Sequence, residues 1–176
     1  MDFSQQRLQQ QDSARQLMYQ NPGYQFERNN KKTLILRQDI TANTTEFTIK
    51  LFEPFKIDKL SDIYLESFTT IHNTNGVPSS NIVSSAFVFN INEFNINNNS
   101  SDQSTFNKLV IPNELPTIVV KGTRTIHKSK KLNFICSINP STLTTISGSV
   151  TGLDGGSSMF TEGDAFLMEL LIIDRY

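Results

Sequence analysis

His72 and His127 are the only histidines in this 176-residue chain, and Cys136 is its only cysteine. These are the side chains that could bind a metal or attack a substrate near neutral pH. A metal centre on a β-sandwich needs closely spaced histidines on one strand and a third ligand nearby. His72 sits instead at a strand-to-loop junction and His127 beside a lysine-rich turn. Each is expected to face solvent or to bond to its turn, with no metal and no catalytic role. No Gly-x-Ser-x-Gly elbow activates any of the many serines. Cys136 lies in the strand-like run Leu-Asn-Phe-Ile-Cys-Ser-Ile and is read as a small buried hydrophobe. A lone cysteine has no intramolecular disulfide partner, so stability must come from the core.

One loop and one charge cluster remain. Gly152-Leu153-Asp154-Gly155-Gly156 is no phosphate loop, because no Lys-Ser/Thr and no helix start follow it. Asp154, Glu162 and Asp164 could bind calcium, but their spacing fits no known calcium loop and a flexible surface loop is the better reading. Lys121, Arg124, Lys128, Lys130 and Lys131 form the one basic cluster. Aromatic residues are not interleaved with it as base stacking would need. It reads as a solvated hairpin tip, with contact to an acidic neighbouring subunit or a packaged genome as the alternative. No small-molecule substrate and no cofactor is expected.

Net charge is −1, so no strong field draws the chain to nucleic acid or an anionic membrane. The residues after Met1 lack the apolar core of a signal peptide, and no apolar stretch approaches the ~20 residues that span a bilayer. The expectation is a protein made in the cytoplasm that does not insert into membranes.

The elements that must position these groups read as strands. The chain has 13 Phe and no Trp. From residue 33 onward, short alternating or apolar runs recur with turn residues between them. Strands are expected at 33–40, 46–52, 62–71, 84–92, 131–138, 143–150 and 165–173. The runs 108–111 and 117–126 flank Pro112 and Pro116 and read as one strand with a break. The alternation places Ile63, Leu65 and Ser67 on one face, and Tyr64, Glu66 and Phe68 on the other. Glu53-Pro54 is expected to end the second strand, and Gly148 marks a bulge or a close approach. The run 165–173 is apolar enough to be buried on both faces. Eight antiparallel strands in one domain, 33–176, fit a sandwich or a closed Greek key; connections of mixed length favour a jelly roll.

Residues 1–32 differ. They are rich in Gln and carry Phe3, Leu8, Leu17, Met18 and Tyr19 among their apolar residues. They read either as a disordered tail or as an N-terminal arm, extended or partly helical, that is disordered in the isolated protein and orders only against a neighbour through those five side chains.

Four segments carry a resemblance. They are 63–70 (Ile-Tyr-Leu-Glu-Ser-Phe-Thr-Thr), 87–94 (Phe-Val-Phe-Asn-Ile-Asn-Glu-Phe), 127–140 and 143–155. In their general run the chain resembles, over residues 33–176, the small single-jelly-roll capsid proteins of large icosahedral double-stranded DNA viruses. The resemblance implies an eight-stranded antiparallel single jelly roll and a virion structural protein without catalytic residues. It implies a homopentameric penton at the fivefold vertices, in contact with a double-jelly-roll major capsid protein and with minor capsid proteins. A minor capsid position in the same shell is the alternative. So is a non-viral jelly-roll binding module of lectin type, for which Phe160 is the only aromatic in the 72–83 and 151–163 loops. A cupin-like enzyme is the third reading, and it lacks the ligands.

Overall fold

In the computed structural model, the described residues are 31–42, 44–73, 85–114, 120–122, 124–127 and 133–175. Beyond Lys32 they belong to one unit, Thr33–Tyr176. The arm contacts Phe3, Leu8, Leu17, Met18 and Tyr19 lie outside the described residues.

Nine strands and no helix occur among the described residues. They are β1 (Lys31–Asp39), β2 (Glu46–Ile57), β3 (Ser61–Ile71), β4 (Ala86–Ile91), β5 (Leu109–Pro112), β6 (Arg124–His127), β7 (Asn133–Ile138), β8 (Ser141–Thr151) and β9 (Ala165–Asp174). One sheet has the order β1-β9-β3, with both β6 and β7 on the far edge of β3; the other has the order β2-β8-β4-β5. The β2–β8, β4–β8, β4–β5, β3–β9, β3–β6 and β3–β7 ladders are antiparallel.

The expected count of eight is corrected to nine. The two runs joined across Pro112 and Pro116 belong to different sheets: β5 pairs β4, while β6 pairs β3. Proline cannot donate to a ladder, so Pro112 closes β5 as its last residue. β6 and β7 then run along one edge of β3, from Ile71↔Arg124 to Ser61↔Ile138.

β2 does not stop at Glu53-Pro54. Its ladder jumps from Lys50↔Thr145 to Phe55↔Leu143, so residues 51–54 bulge opposite Thr144. The bulge accommodates a residue without an N–H and leaves Phe52 fully exposed. β3 carries a second irregularity. Between Leu65↔Leu170 and Ser67↔Glu169, Glu66 is the extra residue. An extra residue reverses the alternation. Ile63 and Leu65 face the core, and after Glu66 so do Phe68, Thr70 and His72.

The core fills the space between the sheets. Phe47 of β2 meets Phe166 of β9 edge-on at 5.8 Å, and Phe68 of β3 meets Phe87 and Phe89 of β4 at 5.1 and 5.3 Å. Edge-to-face pairs of this kind add to the burial of the rings themselves. Gly148 of β8 pairs with Phe47 on one side and Ile91 on the other. A Cβ there would lie 1.9 Å from the Asn90 carbonyl oxygen, so the close approach expected at this glycine is present. β9 is central, between β1 and β3. Phe166, Met168, Leu170 and Ile172 are buried, but Leu167 is exposed and Leu171 and Ile173 are half-buried. The expectation of burial on both faces is corrected: one face packs on the core and the other is open.

Candidate functional site

Thr70, His72, His127 and Asp164, four of the buried polar residues, gather at one end of the sandwich. β3 carries Thr70 inward, and His72 follows two residues later on the same face. β6 carries His127 inward, opposite Phe68. Asp164 immediately precedes β9. All four side chains are buried. Both histidines therefore depart from the expected solvent-facing or turn-bonding position. Two features hid them. The Glu66 bulge changes the inward face of β3, and in β6 the aliphatic Ile126 points out while Thr125 and His127 point in. The spacing Phe68, Thr70, His72 was the signal in the sequence, readable once the bulge is known.

Proton positions follow from the donors. The Glu114 amide donates to His127 Nδ1 at 3.1 Å, so that nitrogen carries no proton. His127 Nε2 then holds the proton and donates to Thr70 Oγ1 at 2.8 Å. Thr70 is left to donate its own proton to His72 Nε2, at 3.3 Å. The His72 proton therefore sits on Nδ1, which faces Asp164 Oδ2 at 3.9 Å. The hydrogen bonds run one way, from the Glu114 amide to His72 Nε2; the Asp164 carboxylate lies beyond hydrogen-bond reach of the ring.

Asp164 is committed to its surroundings. Its Oδ1 accepts from the Asn73 amide at 2.8 Å, and its Oδ2 from the Thr161 amide and hydroxyl at 2.9 and 3.0 Å. Its backbone carbonyl accepts from the Ile40 amide, and the Gly163 amide donates back to the Ile40 carbonyl. The His72 carbonyl accepts from the Gly122 amide at 2.7 Å. The network thus ties the ends of β1 and β3 to the segments before β6 and β9. Burial pushes the His127 imidazole down to about 4, with the neighbouring His72 adding to the effect. Burial also lowers His72, against the pull of the Asp164 carboxylate.

Chemically, this arrangement holds neutral rings in place. Thr70 Oγ1 lies beside two imidazole nitrogens, as a nucleophile would, but it is fully buried. A reacting hydroxyl must reach its substrate. The rings of Phe68 and Phe87 pack on His127, the hydrogen-bond partner of Thr70, 5.4 and 4.8 Å from that imidazole.

The other sequence candidates do not converge on this network. Asp154 binds its own loop, accepting from the amides of Gly156 and Ser157 and from the Ser157 hydroxyl. Asp154, Glu162 and Asp164 form no cluster able to hold a metal, and none occurs among the described residues. Cys136 is buried, and its thiol is pushed up to about 11, chiefly by burial. Phe160 is also buried, stacked on Phe87 at 5.4 Å and on Phe166 at 5.5 Å. It is a core residue and offers no face to a sugar. Of the basic cluster, Arg124 points outward from β6 and Lys121 lies in the preceding turn. Lys128, Lys130 and Lys131 lie outside the described residues.

A second tie closes the opposite end of β3. Arg175 Nη2 lies 2.7 Å from Asp62 Oδ1 and donates to Ser137 Oγ at 2.8 Å, while that hydroxyl donates to Asp62. The hydrogen bond from Arg175 is the main reason the Asp62 carboxyl is held below its usual range.

No family model matches the chain, and no curated protein or solved structure is significantly similar to it.

Proposed function

We propose that the chain is a structural subunit of a protein shell: a single-jelly-roll capsid protein, placed as a pentameric penton at the fivefold vertices of an icosahedral double-stranded DNA virus. The observation that carries this reading is the strand order, β1-β9-β3-β6/β7 in one sheet and β2-β8-β4-β5 in the other. Chain-end strands lie between earlier ones in both sheets, so the N-terminal and C-terminal halves interleave. With β6 and β7 counted together as one interrupted strand on β3, this interleaving supports reading the sandwich as a jelly roll. The buried His–Thr–His network supports a structural role, since it joins loops at one end of the sandwich and leaves its only hydroxyl out of reach. Five copies close head to tail through heterologous contacts.

The test is the mass of the assembled particle. The full chain, alone and together with the other shell proteins of its source, is measured by native mass spectrometry and imaged by electron microscopy. Rings of five located at vertices are the expected result. A chain found only in the flat facets, or one that stays monomeric with all shell proteins present, overturns it.

A further inference from the structure

On the four-stranded sheet the outward pairs of β2 and β8, Glu46↔Ser149, Thr48↔Ser147 and Lys50↔Thr145, are polar, with Asn90 beside Ser149. On the five-stranded sheet Thr69 of β3 pairs with Leu167 on one side and with Ile126 on the other. Leu167 is 36% exposed, Ile126 65%, and Ile35 of the edge strand β1 58%. An antiparallel sheet with one face on the core ordinarily turns polar residues outward. A row of exposed aliphatic side chains across one is the mark of a contact surface.

The charges beside this row define what it contacts. A pocket of about 140 Å³ opens on the same face, with Thr69, Ile71 and Leu167 among its lining. Arg37 from β1 and Arg124 from β6 both line it, reaching in from opposite edges of the sheet. Arg124 makes no ion pair with another described residue, and Arg37 pairs only with Asp39, at 3.1 Å and with both side chains well exposed. Such a pair is worth little and exchanges readily. The volume lies below the ~300 Å³ at which cofactor and drug-sized sites begin; it suits one inserted side chain.

We propose that the outer face of the five-stranded sheet docks an extended segment of a partner protein that presents a carboxylate side chain with apolar ones two residues to either side, on the same face of the segment. The carboxylate sits between the Arg37 and Arg124 guanidiniums, whose planar donors match it, and the flanking apolar side chains cover Leu167, Ile126 and Ile35. The surface is argued from the sheet alone and stands or falls independently of the shell reading.

The probe is a synthetic peptide, acetyl-Ile-Thr-Glu-Thr-Val-amide, whose acid and two apolar side chains share one face when extended, titrated into the isotope-labelled full chain and followed by NMR. The expected result is a saturable shift confined to Thr69, Leu167, Ile126 and their neighbours. The counterpart with Gln in place of the acid binds about tenfold more weakly. Arg124→Gln removes that preference with an unchanged melting temperature. Equal binding of the two peptides, shifts elsewhere, or no saturable response to the acidic peptide overturns the proposal. So does concentration-dependent self-association abolished by Leu167→Lys, which would assign the face to a second copy of the chain.

Discussion

His127 Nε2 lies 2.8 Å from Thr70 Oγ1, and through that hydroxyl the two buried imidazoles are joined. With Nδ1 occupied by the Glu114 amide at 3.1 Å, His127 has no lone pair free to take a second proton without losing a hydrogen bond.

Stability should therefore fall on mild acidification. The unfolded His127 binds a proton near its ordinary value of ~6.5, whereas in the fold it is held to about 4. Between those values the unfolded state binds more protons, so stability drops as pH falls through the window and levels off below it. Taken alone, the shift sets a ceiling on the order of 3 kcal/mol. His72, also lowered, acts in the same direction. Urea unfolding at pH 7.5 and 4.5 measures the change, and His127→Gln should flatten the slope. A wild-type stability constant across that range would refute this account of the network.

Gly148→Val should destabilise the domain by about 3 kcal/mol or more, because the added carbon would fall 1.9 Å from the Asn90 backbone oxygen. Backbone on either side of β8 is held in ladders and cannot retreat. Gly156→Ala, where nothing lies within 4 Å, is the control and should change the urea midpoint little.

Phe68→Ala should cost about 3–5 kcal/mol. The ring is fully buried and touches Phe87, Phe89, Phe166 and His127, so its loss leaves a cavity between both sheets. Phe52→Ser, at a fully exposed ring on the β2 bulge, should leave the melting temperature within a degree or so of wild type. Thermal denaturation of the two variants side by side reads the contrast.

Removing residues 165–176 should leave no soluble folded domain. β9 lies between β1 and β3 and supplies Phe166, Met168, Leu170 and Ile172 to the core. Each buried side chain of this size contributes ~1.5–3 kcal/mol, against a total stability of ~5–15 kcal/mol. Arg175, just after β9, also carries the tie to Asp62 and Ser137. Recovery of a truncated protein that melts cooperatively would contradict the central placement of this strand.

The strand content and the central place of the last strand were legible from residue order, because alternation and turn residues are local signals. Leu34 and Leu36, Phe47 and Ile49, and Phe87, Phe89 and Ile91 all face the core as their period-2 spacing indicates. Gly148 was legible for the same reason: a glycine inside a strand pattern points to a neighbour that leaves no room for a side chain. What the sequence left open is what bulges and ladder partners decide. Glu66 reverses the face of β3 without any mark in composition, and so brings Thr70 and His72 inside. The separation of β5 from β6 depends on which strand each meets across the molecule, and so does the meeting of His127 with Thr70 over a sequence distance of 57 residues. The open outer face of β9 is of the same kind. Seven large apolar side chains, interrupted only by Glu169, mark the strand as central, but only the arrangement of the sheets decides that Leu167 points away from the core while Phe166 and Met168 fill it. Local sequence sets the period of each strand; the pairing of distant strands sets its phase.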